Sequence, residues 1–257
     1  MNKVQKLRAL FRQTGFSKAF FSGALAGIVR IAKRNIQRLS RKTTVPPGEA
    51  VLAAHRVYRD NPGISDGEKC LYLTFDVEWK KPENLALVLD ALKERSVLAT
   101  FFLLGEGMSE NGDLVRRIRA EGHAVGNHTM THPVLPRCGT EEIRLELSQC
   151  GKMYRAVTGE DLPKIMRPPY GKIDRHVMKC LYRMGYQTFL WNMHVFDWKK
   201  DAPATWEVFK DDLDANLQNG AIILQHTFSD ETAAHIGKYI DYCTAKGYRF
   251  GLLQDIR

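Results

Sequence analysis

The chain has 257 residues, 44 % of them hydrophobic and 26 % charged. Those values suit one large α/β domain or two small ones and exclude a wholly disordered chain, a collagen-like repeat and a polytopic membrane protein. The formal net charge of +9 invites a nucleic-acid partner, but eleven of the 38 basic residues precede Glu49, the first acidic residue, leaving 27 basic against 29 acidic in the body. The positive excess belongs to one end, which argues against a basic nucleic-acid-binding fold.

Residues 1–44 read basic (1–18), apolar and small (19–29), then basic again. Eleven apolar residues fall short of the ~20 that span a bilayer. The segment is expected to be a signal peptide or short anchor. An interfacial helix on anionic lipid and a solvated tail are the alternatives. An envelope or membrane-associated location follows from the first two. Pro46-Pro47-Gly48 punctuates the chain, so residues 45–69 read as linker and lead-in to a domain at 70–257.

From Cys70 onward short apolar runs alternate with amphipathic stretches. Strands are predicted at 70–75, 98–105, 123–127, 165–166, 187–191, 221–226 and 248–253. Helices are predicted at 82–95, 114–120, 140–157, 177–184, 206–217 and 231–245. Leu85, Val88, Leu89 and Leu92 recur at helical spacing in the first of these. Strict alternation predicts a parallel sheet with helices outside, doubly wound or closed as a barrel. The five cysteines form no CxxC pair and read as small core residues.

Chemistry-bearing residues fall at the C-terminal ends of the predicted strands: Asp76 and Glu78, His128 and His132, Arg167, Asp197 and His226. Parallel α/β folds gather their active sites at that rim, where the loops converge. Two imidazoles four residues apart can share one cation, on a helical turn or across a tight loop. A carboxylate from another strand would complete a two-His, one-carboxylate site with open positions for water and substrate. His194 lies near this rim. His55, His123, His176 and His235 read as surface or core-edge residues. Trp79, Trp191 and Trp206 read as packing residues, Trp79 with sugar stacking as its alternative. Lys80-Lys81 and Lys199-Lys200 read as solvated charge pairs.

From Leu71 to Ile256 the sequence resembles the NodB-type polysaccharide deacetylases, carbohydrate esterase family 4. The resemblance rests on Thr74-Phe75-Asp76, His128…His132-Pro133, Arg167-Pro168-Pro169-Tyr170-Gly171, Asp197-Trp198 and Leu224-Gln225-His226, in that order. The stretches at 185–191 and 196–199 look most like peptidoglycan deacetylases that act on N-acetylmuramic acid ahead of δ-lactam formation. The resemblance implies a distorted (β/α)7 barrel and a metal-dependent hydrolase that removes acetyl from amino sugars, with a peptidoglycan glycan as substrate. It implies Asp76 as general base, His226 as general acid, Arg167 holding Asp76, and Asp197 pairing with His226. His128 and His132 would ligate a divalent metal, Zn2+ with Co2+ as the alternative, that polarises the acetyl carbonyl and its water. The Tyr170 backbone N–H would bind the oxyanion, and Trp198 and Leu224 would line the acetyl pocket.

The family's second Asp, a metal ligand, is here Val77. Glu78, one position further, is the expected third ligand. A glycan-binding relative that lost its metal, a small cyclic amide or imide hydrolase, and a membrane-surface scaffold are the competing readings.

Overall fold

The computed structural model describes residues 49–61, 63–64, 67–194 and 205–256. Residues 1–44, Asp197 and Trp198 lie outside the described residues. Helix α1 (Glu49–Ala54) and strand β1 (Val57–Tyr58) lead in, followed by β2 (Cys70–Val77) and α2 (Pro82–Glu94). Then come β3 (Thr100–Leu103), α3 (Gly112–Ala120), β4 (Ala124–Asn127), α4 (Thr140–Thr158) and β5 (Ile165–Met166). The chain ends with α5 (Arg175–Arg183), β6 (Gln187–Phe189), β7 (Met193–His194), α6 (Trp206–Asn216), β8 (Ile222–His226), α7 (Asp230–Ala245) and β9 (Arg249–Phe250).

The strands form one curled sheet in the order β1-β6-β5-β4-β3-β2-β8-β7, with β9 on β2, and every strand ladder is parallel. This is the expected distorted (β/α) barrel. Each predicted strand and helix is present, but β1, β7 and α1 were not predicted. The first two have two residues each, too few for a period to register. The lead-in is built into the sheet. Val57 and Tyr58 pair with β6, while Asp60 bridges Ala221 just before β8 and Asn61 N–H donates to the Gly220 carbonyl. One short segment therefore touches strands far apart in the ladder and draws the sheet round.

Helix α2 starts on Pro82, where a missing N–H costs nothing, and buries Leu85, Val88, Leu89 and Leu92 as its spacing predicts. Side-chain alternation gives β2 two faces. Leu73, Phe75 and Val77 face the helices. Tyr72, Thr74 and Asp76 face inward, where Tyr72, Phe102, Ile165, Ile222, Leu253 and Ile256 belong to one apolar cluster. A second cluster includes Ile143 and Leu147 of α4 with Val177, Met178 and Leu181 of α5. Gly126 on β4 must lack a side chain: a Cβ there would stand 2.7 Å from the Phe102 ring. All five cysteines are buried and none forms a disulfide, in keeping with small core residues. Among the described residues no helix is long and apolar enough to cross a membrane.

Candidate active site

Parallel register brings the site together. Asp76 on β2 stands opposite His226 on β8, residues 150 positions apart in sequence. Both line a cavity of about 580 Å³ at the strand ends with Glu78, Lys80, His132, Tyr170, Trp191, His194, Leu224 and Phe228. Val77 is fully buried, on the opposite face, so the acidic residues that reach the cavity from this strand end are Asp76 and Glu78, two positions apart.

Arg167 is completely buried and holds Asp76. One guanidinium nitrogen donates to Asp76 Oδ1 at 3.0 Å, and another to Thr74 Oγ1 at 2.8 Å. The Phe189 and Leu190 carbonyls each accept at 3.3 Å, and the guanidinium carbon lies 4.3 Å from the Phe102 ring centroid. A buried cation is tolerable only with its donors largely filled, and four of the five guanidinium N–H groups have acceptors here. Burial by itself would raise the Asp76 carboxyl. His128, Arg167 and His226 together overcome that and hold it below the ordinary carboxylate range.

His128 and His132 sit on a loop rather than a helical turn, with Thr129 at φ 69° and His132 at φ 58°. Their Nε2 atoms are 3.2 Å apart. His128 Nδ1 donates to the Arg167 carbonyl at 2.9 Å. A carbonyl can only accept, so Nδ1 carries a proton, and Nε2 is the nitrogen turned toward His132 and Asp76. Asp76 Oδ2 lies 3.5 Å from that same Nε2. Three electron-rich atoms thus converge, an arrangement that repels unless a cation or proton lies among them. Burial, with His128 beside it, pushes His132 down to about 4, which keeps it neutral and able to ligate. The two imidazoles are donors of the kind a divalent cation takes, short of a complete ligand set. The expected third ligand is placed differently: Glu78 lines the cavity, but its Oε2 lies 2.6 Å from Lys80 Nζ. Among the described residues no group of three or more His, Cys, Asp or Glu is assembled to hold a metal.

Tyr170 has φ 61° and is 58 % exposed, with its ring edge-on to His132 at 4.6 Å. A Cβ on Gly171 would stand 2.7 Å from Trp191, so that close approach needs glycine. Leu224 lies on the cavity wall. Lys80 lies 4.2 Å from the Phe228 ring centroid and pairs with Glu78, so it is tied to the rim rather than merely solvated. Trp79 donates its indole N–H to the Leu104 carbonyl at 2.7 Å and packs on Gly107, a structural role. His123 is buried and accepts the Ala99 N–H, away from the site. Thr74, named only as part of a motif, and Asn127 carried no expected role. Thr74 braces Arg167, and Asn127 Oδ1 accepts the Thr129 N–H at 2.8 Å. Their signal was available: each is a polar residue in an otherwise apolar buried strand.

The polysaccharide deacetylase family model matches residues 63–189. The chain is 33 % identical over 189 residues to the peptidoglycan-N-acetylmuramic acid deacetylase PdaA of Bacillus subtilis, covering 74 % of this chain and 72 % of that protein. The PdaA structure superposes with a TM-score of 0.74 at 29 % identity, over 85 % of this chain and 93 % of that one. A chitooligosaccharide deacetylase of Bradyrhizobium is 36 % identical over 168 residues, 65 % of this chain and 75 % of its own length. A family 4 pseudoenzyme from Bacillus anthracis is also similar, with a TM-score of 0.67 at 29 % identity over 75 % and 66 % of the two chains. The parallel barrel, the motifs on its rim and these likenesses lead to one conclusion: the chain belongs to the polysaccharide deacetylase family, carbohydrate esterase family 4, hydrolases that remove N-acetyl groups.

Proposed function

We propose that this chain hydrolyses the N-acetyl group of an amino sugar in peptidoglycan, N-acetylmuramic acid or N-acetylglucosamine. The observation that carries this is Asp76 beside His226 in neighbouring strands, with two imidazoles converging next to them. An amide resists hydrolysis because its carbonyl is a poor electrophile and its amine a poor leaving group. Asp76, kept ionised by Arg167, takes the proton of the attacking water. His226 returns a proton to the departing amine nitrogen, and Asp197 would keep that imidazole charged. The Tyr170 N–H would donate to the oxyanion. Leu224 and Trp198 would enclose the acetyl methyl. His128 and His132 would hold a divalent cation, Zn2+ or Co2+, with Glu78 as third ligand once it leaves Lys80. When bound, the cation would act as a Lewis acid toward the acetyl carbonyl. The glycan substrate implies work in the cell envelope, with residues 1–44 as signal, anchor or membrane-surface segment.

The test is acetate release from muramic-acid-containing glycan and from N-acetylglucosamine oligomers. It is run on wild type and Glu78→Ala, each chelator-stripped and then resupplied with Zn2+. The expected result is release by wild type that chelation abolishes and Zn2+ restores, with Glu78→Ala needing more Zn2+. Val77, in place of the family's second acid, favours a second reading: a glycan-binding relative without activity. Glycan binding with no acetate release at any Zn2+ concentration would establish it.

A further inference from the structure

We propose that Glu146 is the positioning residue that sets the distance between the two imidazoles, by clamping the loop that joins them. Helix α4 buries Ile143, Leu147, Cys150 and Tyr154 on one face. Position 146 lies on that same stripe, where an apolar residue would be ordinary. It holds instead a carboxylate that is fully buried. Glu146 Oε2 accepts the backbone N–H groups of Met130 at 2.9 Å and Thr131 at 2.8 Å, and Oε1 accepts the Thr131 hydroxyl at 2.7 Å.

Three residues separate His128 from His132, and this clamp takes two of them. The third, Thr129, is taken by Asn127 Oδ1, and its own Oγ1 accepts the His132 N–H at 3.1 Å. Every backbone N–H from Thr129 to His132 is thus fixed by a side-chain acceptor. That matters because the loop carries two left-handed residues, Thr129 and His132, a conformation that persists only when its surroundings impose it. A buried carboxylate with neutral partners costs free energy that a leucine would not. Burial raises its carboxyl accordingly. The cost is offset if the loop must be rigid to keep both Nε2 atoms at one point.

The consequence for metal affinity rests on the proposed function; the clamp itself does not. The test compares metal-free wild type, Glu146→Ala and Glu146→Gln by amide hydrogen exchange, and follows Co2+ binding by its visible spectrum. In Glu146→Ala the Met130 and Thr131 amides should exchange about tenfold faster or more, with α2 and α7 unchanged. Its Co2+ affinity should fall about 10–100-fold. Glu146→Gln should stay within about threefold of wild type, because its carbonyl can accept both N–H groups while its NH2 donates to Thr131 Oγ1. Unchanged loop exchange in Glu146→Ala overturns the proposal, as does faster exchange spread over the whole domain. If wild type binds no Co2+, the metal reading fails while the exchange result still decides the clamp. If Glu146→Ala does not fold, Glu146→Asp, one methylene too short to reach both amides, takes its place with the same readouts.

Discussion

Asp76 and Asp214 are both held below the ordinary carboxylate range, by opposite means. Asp214, on the outer face of α6, accepts from Lys210 at 2.7 Å, Lys246 at 2.6 Å and the Tyr242 hydroxyl at 2.5 Å. Those hydrogen bonds lower it with little desolvation to oppose them. Asp76, at the barrel mouth, is lowered against the larger cost of full burial, by the charges of His128, Arg167 and His226. Water screens the first cluster and would replace any lost partner. Arg167 at the mouth is fully buried, so no solvent is at hand to stand in for a partner it loses. A surface network therefore tolerates change, while the buried one fixes where its charges lie and in which protonation state.

Arg167→Met should break the contrast most strongly. It leaves Asp76 buried without its counter-charge, and urea unfolding should show a loss of about 3–5 kcal/mol. Asp76→Asn keeps an acceptor for Arg167 but removes the proton-taking oxygen. Acetate release should fall about 10²–10⁴-fold, measured with the protein still folded. The double variant Asp76→Leu with Arg167→Met removes both charges together. It should be inactive yet more stable than Arg167→Met alone, since two apolar groups bury without penalty; equal instability would show that the pair also shapes the fold.

His123 gives a smaller effect with a definite sign. Burial, with Arg117 nearby, lowers its imidazole below the usual value against the pull of Glu121. The unfolded chain therefore binds a proton at higher pH than the folded one. Stability should fall as pH drops below about 6.5, by at most about 1.4 kcal/mol per pH unit from this site. Denaturant midpoints between pH 7 and 5, with His123→Gln flattening the curve, check this. Lys246→Ala, on the outer face, should leave the urea midpoint unchanged within error. A clear shift there would mean that the surface network is stiffer than its exposure implies.

Much of this was legible without coordinates. The period of Leu85, Val88, Leu89 and Leu92 marked α2, and apolar runs such as Cys70–Phe75 marked buried strands, because burial imposes those patterns locally. The placing of Asp76, His128, Arg167 and His226 at strand ends needed only the rule that parallel barrels work at one rim. Other features had no local signature. β1 and β7 are too short to carry a period, and they exist because their edges find partners. The imidazole loop looked compatible with a helical turn, and its left-handed residues are imposed by Asn127 and Glu146, acceptors outside the loop itself. The resemblance made Glu78 the expected third metal ligand. Its pairing with Lys80 is a choice among neighbours that spacing does not express.

The net charge shows the same division. Sequence by itself determined that the +9 belongs to the N-terminal segment and that the barrel is near neutral, because charge counts are additive along a chain. Sequence also determined the order of the longer strands and helices from Cys70 onward and the polar residues that follow those strands. Only the tertiary structure decided which charges meet. Arg167 and Asp76 are 91 residues apart, and their ion pair exists because the sheet order sets β5 and β2 around one curled interior. Where desolvation is complete, a charge is governed by its contacts in space, and those are a property of the fold.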